Sequence, residues 1–90
     1  MDEERRYEAV VSALAAGAIP RDEPLKTWAG LGTGKTCAVC GAELTAGDIE
    51  YELEFASGRL IIVDRRCHAI WTEERTNGIS EEGASRYGQP

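Results

Sequence analysis

The sequence is poor in several things that common functions require. Basic residues are outnumbered, 10 Lys and Arg against 16 Asp and Glu, for a net charge of −6 and a pI near 4.7. That balance argues against non-specific binding to a phosphate backbone, which needs a basic face. No apolar run approaches the roughly 18 residues of a membrane helix. Met1 is followed by Asp2-Glu3-Glu4-Arg5-Arg6 rather than by a basic and then an apolar stretch, so no signal peptide is expected. Histidine occurs once, at His68, which excludes the His-x-Glu signature that precedes the cysteine pair of zinc deaminases. Cysteine occurs three times, an odd number that speaks against a disulfide framework. A cytoplasmic chain with reduced thiols is the expectation.

Ninety residues allow one domain at most. A core of that size supplies only about 3–5 kcal/mol, so a staple is expected, and a structural metal is one of the usual ones.

Residues 1–17 read as an N-terminal helix. Tyr7, Val10, Val11 and Leu14 fall at i, i+3, i+4 and i+7, acids crowd the first turn, and Gly17 stands at the stop. Docking of that stripe on the chain's own domain is favoured over a partner-binding helix. Residues 18–36, with Pro20, Pro24, Gly30, Gly32 and Gly34, read as an extended connector anchored to the core by Trp28 and Leu31.

Residues 29–36, Ala29-Gly30-Leu31-Gly32-Thr33-Gly34-Lys35-Thr36, fit a relaxed phosphate-loop pattern. Neither a preceding buried strand nor a following helix is in place, so no nucleotide site is expected. The glycines instead let the loop approach the cysteine knuckle that follows.

Thr45-Ala46-Gly47-Asp48 reads as a turn. Ile49, Tyr51, Leu53 and Phe55 then alternate with Glu50, Glu52 and Glu54, the period of a half-buried strand. The glutamates are expected on a solvated face that discourages edge aggregation, in preference to a recognition face for a basic partner. A turn at residues 56–59 leads to a return strand, Leu60-Ile61-Ile62-Val63. Residues 65–76 read as a helix whose Cys67, Ile70, Trp71 and Glu74 share a face, with Trp71 directed at the hairpin and a stop at Asn77-Gly78. Residues 78–90 read as a flexible tail. The fold class is thus α+β: the helix, the connector, and over residues 37–77 a zinc-supported β-hairpin and C-terminal helix.

The chemistry sits at the cysteines. Zn²⁺ favours four ligands, largely thiolate and imidazole, in a tetrahedron. Cys37 and Cys40, two residues between them, grip an ion from one turn. Asp64 and Cys67, at i and i+3 on the start of a helix, offer a second pair on one face. His68 is the better ligand type in a poorer position, since it projects about 100° from Cys67. Asp64 and His68 therefore compete for the fourth place. Asp64 has a further use as a helix cap for the N–H of Arg66 or Cys67. The cysteines could also be plain buried thiols. A redox pair lacks its βαβ setting.

Ile19-Pro20, the run from Thr27 to Gly34, Cys37-x2-Cys40-Gly41, Glu50-Tyr51-Glu52-Leu53 and Arg66-Cys67-His68-Ala69-Ile70-Trp71 together resemble a group of small uncharacterised bacterial proteins. Those carry a Trp-Gly-Gly-x-Gly-x-Gly segment, a Cys-x2-Cys knuckle and a His-x2-Cys near the end. The arrangement is similar to treble-clef and LIM-type zinc modules, which implies a knuckle, a hairpin and a helix bearing the last ligands. The group's histidine falls on Asp64 here. The resemblance implies no established activity. The leading expectation is a structural-zinc adaptor that binds another protein. The alternatives are a nucleic-acid-binding finger using Lys35, Arg59, Arg65 and Arg66, and a metalloenzyme with an open zinc position, which would need a positioned base as well.

Overall fold

The structure, a computed structural model, describes the backbone of residues 2–87 and the side chains of residues 2–76. It is α+β: two helices and a three-stranded antiparallel sheet, in the order α1 (Glu3–Ala16), β1 (Lys26–Leu31), β2 (Ile49–Glu54), β3 (Leu60–Asp64) and α2 (Arg65–Tyr87).

Local chemistry explains α1. The Asp2 carboxylate accepts the Arg5 N–H at 2.8 Å and caps the first turn, where Glu3 and Glu4 also favour the positive end of the helix dipole. Gly17 ends the helix in the left-handed region, φ 76°, without the Cβ penalty another residue would meet. Arg59, from the β2–β3 turn, then donates to the carbonyls of Gly17 at 3.3 Å and Ala18 at 2.6 Å, placing a cation at the negative end. The buried stripe differs from the expected one. Val10 and Leu14 are buried, but Tyr7 and Val11 are 45% and 38% exposed. The third inward-facing residue is Arg6, one turn before Val10.

The sheet runs in the order β1-β2-β3. The expected hairpin is β2 and β3, with Glu52 opposite Ile62 and Leu53 opposite Ile61. Leu53, Phe55, Ile61 and Val63 bury one face against Val10, Leu14, Ile19, Leu44 and Trp71. Trp71 meets Phe55 edge to face at 6.1 Å, a favoured aromatic geometry. Its indole N–H donates to the Pro20 carbonyl at 2.8 Å, so a large ring is buried without leaving a polar atom unpaired.

Several expectations fail here. The segment 18–36 contains a strand, β1, so the sheet has three strands and not two. Trp28 and Leu31 are not core anchors; they stand on β1 at 47% and 66% exposure. The reason is topological: α2 packs on β2 and β3, whereas β1 meets only β2. Ile19 anchors the segment instead, at 2% exposure. The glutamate row is not uniformly wet. Glu50 is buried, and its carboxylate accepts the Thr33 N–H and hydroxyl, both at 3.1 Å. Finally, α2 does not stop at Asn77-Gly78 but runs to Tyr87. A glycine within a helix costs only about 1 kcal/mol relative to alanine, and Glu81, Glu82, Ala84 and Arg86 favour continuation. Of the expected tail, residues 88–90 lie outside the described residues.

Gly32 shows why the loop after β1 is glycine-rich. A Cβ there would collide with the Thr45 carbonyl oxygen and lie 2.5 Å from that of Leu44. The loop can pass over the end of the knuckle only without a side chain. Gly32→Ala is expected to destabilise the protein by about 1–3 kcal/mol in urea unfolding, since backbone must move to admit the methyl. Gly30→Ala, where nothing lies within 4 Å, is the control and should leave the midpoint unchanged or slightly raised.

Candidate metal centre

The cysteine knuckle is built by a narrow loop. Cys37 N–H donates to the Ala42 carbonyl at 2.9 Å, Gly41 N–H to the Cys37 carbonyl at 3.0 Å, and Leu44 N–H to the Lys35 carbonyl at 2.7 Å. These bonds fold residues 35–44 back on themselves and set the Cys37 and Cys40 side chains on one side. The knuckle then lies along β3: Ala38 N–H donates to the Ile62 carbonyl at 2.8 Å. That contact brings it to the end of β3 and the first turn of α2, where Asp64 and Cys67 stand.

Four donor groups converge. One ligand atom each from Cys37, Cys40, Asp64 and Cys67 lies within 4.8 Å of every other, and all three thiols are free. Tetrahedral zinc–thiolate bonds of about 2.3 Å separate their sulfurs by about 3.8 Å, so a small contraction would close this set around one ion. Cys37 and Cys67 are buried, at 1% and 0% exposure. The residues present therefore fit a metal ion.

Hydrogen bonds already treat these groups as a site for negative charge. Asp64 N–H points at Cys37 Sγ, 3.4 Å away. The hydrogen bond from Cys67, joined by backbone N–H groups of the knuckle and of Asp64, pulls the Cys37 thiol down to about 5. Cys67 moves the opposite way, raised by holding the shared proton against Cys37 and by burial. Burial also raises Cys40, and its bond to the Asp64 carboxylate, at 3.1 Å, adds to the shift. The thiols thus share protons that a divalent cation would replace.

Asp64 caps α2 and also faces the thiols. Its Oδ1 accepts the Cys67 N–H at 2.7 Å and caps α2, while its Oδ2 faces Cys40 at 3.1 Å. Burial would raise its carboxyl, but these hydrogen bonds and the Arg6 charge outweigh that and hold it below the ordinary aspartate value. His68 is not part of the group. Its ring stacks on Tyr51, with centroids 4.0 Å apart and planes 5° from parallel, and burial lowers its pKa. The helical 100° step from Cys67 to His68 separates them.

Arg6 completes the centre and was not anticipated. One terminal nitrogen, Nη1, donates to Asp64 Oδ2 at 3.0 Å and to Cys67 Sγ at 3.4 Å, with Cys40 Sγ at 3.8 Å. Burial alone would lower its pKa; the bond to Cys67 and the surrounding negative groups raise it well above the usual value, so it stays charged. Its place on the buried stripe follows from the i+4 spacing of residues 6, 10 and 14, but its place beside the thiols depends on how α1 docks. Of the other basic residues, Arg65 and Arg66 line a cleft shared with Arg6 and Asp64. Arg59 holds the end of α1, and Arg66 lies 3.8 Å from Glu3 at the surface.

No protein-family model matches the chain, and neither a curated protein nor a solved structure shows significant similarity to it.

Arg6→Met should destabilise the fold by about 3 kcal/mol, because it leaves Asp64 and the thiols without their buried counter-charge. Arg66→Met, which removes only an exposed pair, should change stability by less than about 0.5 kcal/mol. Denaturant unfolding of the two variants side by side checks both.

Proposed function

We propose that the chain is a small structural-zinc module, treble-clef-like in its order of knuckle, hairpin and helix, that serves as an adaptor between proteins. The convergence of Cys37, Cys40, Cys67 and Asp64 carries this reading. Three thiolates and one carboxylate suit zinc better than magnesium or calcium, which prefer all-oxygen shells. All four positions are filled by the chain's own side chains, and Arg6 lies against three of them. A closed set of this kind supports a structural role over a catalytic one, which needs an open position. Binding would also supply what so small a core lacks, since structural zinc is worth about 10–16 kcal/mol in finger peptides.

The adaptor role draws support from the surface. The chain carries a net charge of −6 and leaves Trp28 and Leu31 uncovered on an edge strand. A nucleic-acid role draws less. A cleft of about 400 Å³ beside the centre is lined by Arg6, Arg65 and Arg66, but Asp48 and Asp64 share it, so a phosphate would meet both signs.

Protein purified without added metal should contain about one zinc per chain by elemental analysis. Asp64→Ala should lose most of it, while His68→Ala retains it. Chelation should unfold the parent protein, read as loss of far-ultraviolet circular dichroism. A parent free of metal, or loss in His68→Ala alone, would overturn the assignment.

A further inference from the structure

The two edges of the sheet are finished differently. The outer edge of β3 is covered by the knuckle, through the bond from Ala38 N–H to the Ile62 carbonyl and the approach of Asp64 N–H to Cys37 Sγ. The outer edge of β1 pairs with no strand among the described residues: β1 pairs only with β2, and of its residues Thr27 alone lines a cleft shared with α2, on the face of the sheet and not at its edge. All six of its residues are exposed, and Leu25, just before it, is 66% exposed. Proteins usually blunt such an edge with charge, proline or a bulge. This strand carries a single charged residue, Lys26, at its first position.

We propose that the open edge of β1 is a docking site for an extended segment of a partner protein in which basic and apolar residues alternate. The inference rests on the adaptor reading and names the chemistry of the partner. Backbone groups of β1 would pair with the incoming strand, and its two faces would select side chains. Register decides what those faces offer. Lys26, Trp28 and Gly30 stand opposite Glu54, Glu52 and Glu50, on one face; Thr27, Ala29 and Leu31 stand opposite Leu53, Tyr51 and Ile49, on the other.

The first face is acidic. Glu50 is held by Thr33, which leaves Glu52 and Glu54 beside Trp28 and Lys26. Gly30 has open space where its Cβ would be, so a long basic side chain on the incoming strand can pass over it towards Glu52. Trp28 offers a ring face for the same cation; Lys26 Nζ already lies 5.8 Å from its centroid. The second face, with Ala29 and Leu31, suits apolar residues. A second copy of this chain is the poorer occupant, because each copy carries −6 and β1 would bring only Lys26 against the other's glutamates.

The probe is a labelled synthetic hexapeptide alternating arginine and valine, titrated into the full-length protein as purified, its folding checked by circular dichroism, and followed by fluorescence polarisation. Binding should saturate, and exchanging its arginines for glutamates should weaken it at least about tenfold. N-methylating the backbone amides along one edge of the peptide should abolish binding, while methylating the other edge should not. Trp28→Ser combined with Leu31→Ser should weaken binding at least about tenfold with zinc content and circular dichroism unchanged. No binding to the folded full-length protein, whatever its zinc content, would overturn the proposal, as would equal binding of the glutamate peptide or an unaffected double variant. Dimerisation in sedimentation without peptide binding would assign the edge to a second copy instead. Zinc content, measured on the same samples, reports on the metal reading independently, so either can fail without the other.

Discussion

Negative charge gathered at the start of α2 is the constraint to which the rest of the molecule answers. A carboxylate and three thiols are brought together, two of the thiols fully buried and Cys40 and Asp64 partly so. Charge so placed must be compensated or it would not stay buried. Two compensations are built in. Backbone N–H groups from the knuckle, from Asp64 and from the first turn of α2 point at the sulfurs and at the carboxylate. Arg6 reaches in from the other end of the chain to meet Asp64 at 3.0 Å. A divalent ion would be the third.

That demand explains the architecture. The knuckle has to lie along β3 to reach Asp64, and in doing so it finishes one edge of the sheet. The helix α1 has to dock so that Arg6 faces inward, which turns Val10 and Leu14 into the core and leaves Tyr7 and Val11 towards the surface. The loop after β1 has to cross the end of the knuckle, which requires Gly32. Among the described residues, α2 packs on β2 and β3 and α1 packs on α2, and β1 pairs with β2 alone. The same packing that closes the centre therefore leaves the opposite edge of the sheet open among the described residues.

The local elements were largely legible in the sequence. Period-two alternation marked β2, a β-branched run marked β3, and first-turn acids with a terminal glycine marked α1, because each depends on neighbours a few residues away. The cysteine spacing likewise marked both halves of the centre, since a two-residue gap and an i, i+3 step are local geometry. β1 was hidden because its identity as a strand comes from pairing with β2 rather than from its own glycine-containing composition. Glu50 read as a wet residue because its partner, Thr33, lies in a different segment.

The sequence alone determined which donors exist and which of them share a turn: Cys37 with Cys40, Asp64 with Cys67. It could not choose between Asp64 and His68, nor show that a positive charge from the first helix belongs beside them. Tertiary structure decided both. The helical step turns His68 onto Tyr51, and the docking of α1 carries Arg6 across 58 residues of sequence to Asp64. Spacing within a turn is set by covalent geometry, whereas contact between distant segments is set by how the whole chain hides its apolar faces and balances its buried charge.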